Sequence, residues 1–153
     1  MRFMKYHRIL LFLLTGLFIN ACSKDKFQTK PKLTFKSVST ERLTAGSTIQ
    51  FNIRFTDAEG DIQDSIWVQK VTRNCTNSNF SGRYKIPTFT GTKNLEGEFE
   101  ICFGYGINLG CPSIREPQCI GQNDTCTFRF WARDLAGNVS DTISSSTVII
   151  VRR

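Results

Sequence analysis

From residue 49 to residue 56 apolar and polar side chains alternate without a break. Ile49, Phe51, Ile53 and Phe55 stand on one side, and Gln50, Asn52, Arg54 and Thr56 on the other. A period of two places alternate residues on opposite faces of an extended chain, so the stretch predicts a strand with one buried and one wetted face. Two further segments read the same way. Phe99, Ile101, Phe103 and Tyr105 alternate with Glu100, Cys102 and Gly104, and Cys126, Phe128, Phe130 and Ala132 alternate with Thr127, Arg129, Trp131 and Arg133. Weaker strand patterns cover 33–38, 65–72, 83–89 and 143–151. Turn signals separate them at Ala45-Gly46-Ser47, Glu59-Gly60-Asp61, Asn77-Ser78-Asn79, Gly91 and Ala136-Gly137-Asn138. No segment after residue 22 keeps a helical period for ten residues. About seven short strands in some 120 residues predict an all-β domain, an antiparallel β-sandwich of immunoglobulin-like type, with a small closed barrel as the alternative.

The N-terminus has a different pattern. Arg2, Lys5 and Arg8 precede an unbroken run, Ile9–Ile19, of largely apolar residues. A membrane-spanning helix needs about 20 such residues, so the run matches the hydrophobic part of a signal peptide instead. The residues that follow, Ile19-Asn20-Ala21-Cys22, resemble the bacterial lipobox. That resemblance implies removal of 1–21 as a signal peptide and lipidation of Cys22. More than one acyl chain would then anchor the protein to a membrane without spanning it. Ser23 lacks the Asp that retains such lipoproteins at the inner membrane, which favours the outer membrane. The start Cys22-Ser23-Lys24-Asp25 is similar to Bacteroidota-type lipoproteins; periplasmic face and cell surface both stay open. Residues 22–36, with five Lys and one Asp after the Cys, predict a flexible basic tether, leaving 37–153 as one domain.

Two phrases within the domain carry a resemblance of their own. Phe55-Thr56-Asp57-Ala58-Glu59-Gly60-Asp61-Ile62 resembles a segment common in immunoglobulin-like lipoproteins of that bacterial group. Phe130-Trp131-Ala132-Arg133-Asp134-Leu135-Ala136-Gly137-Asn138-Val139-Ser140 resembles the closing turn of bacterial immunoglobulin-like domains. The resemblance covers roughly 33–153 and implies a fold; such sandwiches host many tasks.

Five cysteines remain once Cys22 is lipidated: Cys75, Cys102, Cys111, Cys119 and Cys126. Export places them in an oxidising compartment, so disulfides are expected, with one Cys left over. Sequence alone does not choose among the possible pairings. The immunoglobulin-like arrangement makes the third and sixth strands neighbours and suggests Cys75 with Cys126. A short staple of the proline-containing loop suggests Cys111 with Cys119, leaving Cys102 free. Zinc is excluded on residue types and spacing, since no Cys-x2-Cys pair exists and the sole His is His7, in the leader. Cysteine nucleophilic catalysis lacks a His partner for the same reason.

Asp57, Glu59, Asp61 and Asp64 put four carboxylates on one loop, and the immunoglobulin-like order brings Asp134 and Asn138 to the same end. Hard cations such as calcium take 6 to 8 oxygen ligands, and crowded carboxylates need neutralising. The spacing is not that of an EF-hand, because Gly60 stands fourth and Val68 takes the place of the bidentate Glu. A solvated turn is the alternative reading. Paired acids also occur in glycosidases, but crowding on one loop without a cleft points away from catalysis, and the chain is expected not to be an enzyme. Arg129, Trp131 and Arg133 share one face and form a candidate ligand surface, for a glycan or a protein. Asp64-Ser65-Ile66 and Asp141-Thr142-Ile143 are similar to O-glycosylation acceptors of the same bacteria. The long segment from Gly104 to Asp124 is a further candidate binding loop.

Charge changes one conclusion. The whole chain carries a formal +7, but from residue 37 onward 12 basic residues face 12 acidic ones. The excess belongs to leader and tether, which excludes nucleic acid as the domain's partner. The sequence therefore predicts an outer-membrane lipoprotein that binds or adheres, to an envelope protein or a glycan. A structural accessory subunit of an outer-membrane complex is the alternative.

Overall fold

The computed structural model describes residues 28–153; the signal peptide expected over 1–21, the expected lipidation site Cys22 and the first part of the expected tether lie outside the described residues. Ten strands follow in chain order: β1 Lys32–Val38, β2 Arg42–Leu43, β3 Ser47–Asp57, β4 Ser65–Thr72, β5 Phe80–Lys85, β6 Leu95–Tyr105, β7 Ser113–Ile114, β8 Asp124–Arg133, β9 Ile143–Ser144 and β10 Val148–Ile150. A single 3-10 turn, Thr76–Ser78, separates β4 from β5.

They form two sheets, one ordered β1-β3-β6-β7 and the other β2-β10-β8-β4-β5, with β9 also paired to β8. The long strands pair antiparallel, as their alternation requires for a sandwich. β3 runs against β6 from Ser47↔Tyr105 to Asp57↔Leu95, and β4 against β8 from Ser65↔Arg133 to Thr72↔Cys126. The all-β sandwich expected from the sequence is present, with ten strands instead of seven. β2 and β7 are two-residue additions, and 143–151 divides into β9 and β10. Both β2 with β10 and β6 with β7 pair in parallel, so the sheets are mixed. Strand β1 also begins inside the segment assigned to the tether, because Leu33 is buried and pairs opposite Phe55.

The core is the inward row of each long strand. Ile49, Phe51 and Ile53 are wholly buried, facing Val68, Phe128 and Phe130 from the other sheet. Phe51 packs its ring 4.6 Å from Phe128 and 5.3 Å from Phe130. Phe80 and Phe103 extend this aromatic cluster edge-on. Removing a buried ring of this kind costs about 3–5 kcal/mol, so these positions hold the two sheets together.

The strand directions give the domain two distinct ends. One collects the β3–β4 loop, the β8–β9 turn and the entering chain, where Ala58 N–H donates to the Gln28 carbonyl and Lys30 pairs with Asp141 at 2.6 Å. The other collects the 3-10 turn and the loops flanking β7.

Candidate functional site

At the end where the chain enters, the alternating row that buries Phe55 also buries Asp57, which is fully enclosed. Gly60 turns the following loop with a left-handed φ of 78°. It lies against the backbone of Thr92, where a Cβ would collide. The turn returns Asp61 to Asp57, and Asp61 N–H donates to Asp57 Oδ2 at 2.7 Å. From the neighbouring turn, Leu135 N–H donates to the Asp61 carbonyl and Ala136 N–H to Asp61 Oδ2. Asp134 closes the group, and oxygens of Asp57, Asp61 and Asp134 lie within 4.8 Å of one another. Burial pushes the Asp57 carboxyl up to about 6, and the charges of Asp61 and Asp134 push the same way against the lowering effect of the Asp61 N–H.

Three expected members of this cluster stand elsewhere. Asp64 is drawn off by Arg133, whose Nε donates at 2.6 Å, and by Arg83 at 3.3 Å. The hydrogen bonds from Arg133 and then Ser65 hold its carboxyl below the usual range. Glu59 is exposed at the loop tip. Asn138 works from behind, its backbone N–H and side-chain amide both donating to the Asp134 carboxylate.

The disulfides differ from the pairing suggested above. Cys75 bonds Cys119, Cys102 bonds Cys111, and among the described residues Cys126 is the free, buried thiol. Strands β4 and β8 are neighbours as expected, yet Cys126 sits opposite Thr72 with its side chain in the core row of Phe128 and Phe130. Cys75 lies three residues beyond that register and meets the loop instead. Cys102 is on the opposite face of β6 from the buried Phe103. The carbonyl of Pro112 accepts from Gly104 N–H and brings Cys111 alongside. Burial first, then the Asp124 carboxylate, pushes the Cys126 thiol up to about 12. That thiol is a packing group.

Arg129, Trp131 and Arg133 do share the outer face of β8, and the register adds partners the sequence left unresolved. Trp67 stands opposite both Trp131 and Arg83. The indole rings lie 6.1 Å apart and 7° from parallel, with Arg83 and Arg133 over Trp67 at 5.1 and 5.6 Å. Trp67 is thus half-buried within a cross-strand ladder, with these neighbours over its ring. Of the two glycosylation-like triplets, Ser65 is buried and accepts from Arg83, whereas Thr142 is exposed.

A concave site appears where the sequence offered only a long loop. Between β5 and the segment 113–118 lies a polar cleft of about 680 Å³, lined among others by Asn77, Ser81, Tyr84, Arg115 and Glu116. Tyr84 also lines a smaller apolar hollow of about 230 Å³ with Ile86, Phe99 and Pro112. Both disulfides brace the loops of this end, and Gln118 N–H donates to Ser78 Oγ across the cleft wall. Behind it Lys70, nearly fully buried, meets Asp124 Oδ2 at 2.6 Å and donates to the Ser78 carbonyl. The contact with Asp124 is ionic instead of an aligned hydrogen bond. An alternating pattern could not reveal the cleft, because its walls come from two sheets and a 3-10 turn. The polar run Thr76–Asn79 was the available signal.

Fold and site together define a disulfide-braced all-β sandwich with a carboxylate cluster at one end and a cleft at the other. No family model matches the chain, and no curated protein matches it. Among solved structures it is similar to Spo0M, a sporulation control protein from Bacillus subtilis, at 12% identity and a TM-score of 0.45 over 81% of this chain. The chain spans about half, 50%, of that structure's length.

Proposed function

We propose that this chain is an outer-membrane lipoprotein, anchored through Cys22, whose sandwich acts as a non-catalytic binding module for a glycan. The observation that carries the reading is the cleft of about 680 Å³ at the end away from the entering chain. Its volume falls within the range of about 300–1,000 Å³ that small-ligand sites occupy. Its walls mix amide, hydroxyl and guanidinium donors with the half-buried Tyr84, chemistry suited to a polyhydroxylated ligand. Two disulfides fit an oxidising compartment outside the cytoplasm. The basic segment between Cys22 and β1 supplies the reach from the membrane.

The test is retention of the mature lipoprotein on an array of bacterial and host glycans, together with crosslinking on intact cells. Arg115→Ala combined with Asn77→Ala should weaken glycan binding by about tenfold or more, a loss of about 1.4 kcal/mol. No glycan retained, with crosslinks to a single envelope assembly, would instead support an accessory subunit.

A further inference from the structure

We propose that Asp57, Asp61 and Asp134 form a binding site for a single calcium ion that clamps the β3–β4 loop to the β8–β9 turn. Two oxygens that share a Ca²⁺ at about 2.4 Å stand no more than about 4.8 Å apart. The three carboxylate oxygens meet that limit, all lying within 4.8 Å of one another. Asp57 is wholly buried and Asp134 is 1% exposed. Among the described residues no Lys or Arg forms an ion pair with any of the three.

The hydrogen bonds show where a cation fits. Asp61 N–H occupies Asp57 Oδ2, Ala136 N–H occupies Asp61 Oδ2, and Asn138 holds both oxygens of Asp134. Asp57 Oδ1 and Asp61 Oδ1 are buried and have no partner. A buried carboxylate oxygen without a donor is costly, and two of them beside a third carboxylate call for positive charge. Backbone and amide donors thus fix the orientation of the carboxylates while leaving these lone pairs free. An all-oxygen donor set with no nitrogen or sulfur selects a hard cation over zinc or copper. Water completes the coordination on the side of the half-exposed Asp61. The proposal does not depend on the glycan reading, since the two sites lie at opposite ends.

The test uses the full chain in detergent at pH 7.5, with 2 mM CaCl₂ compared with chelator. Calcium should raise the melting temperature by about 5 °C or more, as a cation present well above its Kd does. Calorimetry should give one ion per chain. Asp57→Asn risks misfolding because the residue is enclosed. Asp61→Asn, at the half-exposed position, is therefore the decisive variant and should abolish the calcium shift. Asp64→Asn, outside the cluster, should keep it. An unchanged melting temperature and no heat of binding in the natural chain would overturn the site, as would a full shift in Asp61→Asn. An equal shift with Mg²⁺ would overturn the assignment to calcium.

Discussion

At the scale of single residues, the side of a strand decides the chemistry. Asp57 closes β3, and its carboxylate is buried because it continues the inward row of Ile49, Phe51, Ile53 and Phe55. In chelator its carboxyl titrates near 6, above the unfolded value of about 3.9. Between those values the folded state binds the extra proton, so stability falls as pH rises through the window and is lowest above 6. The expected outcome is a cation-free domain that gains on the order of 1 kcal/mol as pH drops from 7 to 5. Urea midpoints across that range measure it, and a flat profile would mean that Asp57 is better solvated than its burial indicates. The parity that buries Asp57 was legible in the sequence. So was that of Cys126, which shares the row of Phe128 and Phe130 and could have been recognised as a core thiol. What was not legible is Asp64. Its loss to Arg133 follows from the β4–β8 register, which puts Ser65 opposite Arg133, and no local pattern states a register.

At the scale of elements, long alternating strands were readable and short ones were not. β3, β6 and β8 each span ten or eleven residues, enough for a period of two to stand out. β2 and β7 have two residues each, and their parallel pairing depends on chain brought back from elsewhere. The disulfides follow these returns. Cys75–Cys119 closes a loop of 44 residues and Cys102–Cys111 one of 9. On the chain-entropy account the longer loop restrains the unfolded chain more, about 4 kcal/mol against about 2.5 kcal/mol. Replacing Cys75 and Cys119 together by Ala should therefore lower the urea midpoint further than replacing Cys102 and Cys111. The reverse order would show that the short staple acts in the native state, by holding β7 on the edge of β6. Cys126 should stay unreactive to alkylating agents in the native protein, as a thiol held near 12 requires.

At the scale of the whole molecule, the two ends are separated by the full length of the strands. Eleven paired residues of β3 and β6 span about 35 Å, and the β4–β8 ladder lies across the core from them. Nothing in the carboxylate cluster touches the disulfides or the cleft, and the intervening side chains are close-packed aromatics and aliphatics. Sites so far apart with no shared partner contribute additively to stability, within about 0.5 kcal/mol. Combining Asp61→Asn with loss of the Cys75–Cys119 bond should accordingly give the sum of the two separate changes in unfolding free energy. Amide hydrogen exchange should report the same independence locally. Reduction should speed exchange in 73–79 and 106–123 while leaving 57–64 and 134–138 protected, and Asp61→Asn should do the opposite. Exchange that spreads from one end to the other in either variant would mean that the sandwich transmits the change. In that case cation binding at the end where the chain enters β1 would alter the cleft, and the two sites would have to be treated as coupled.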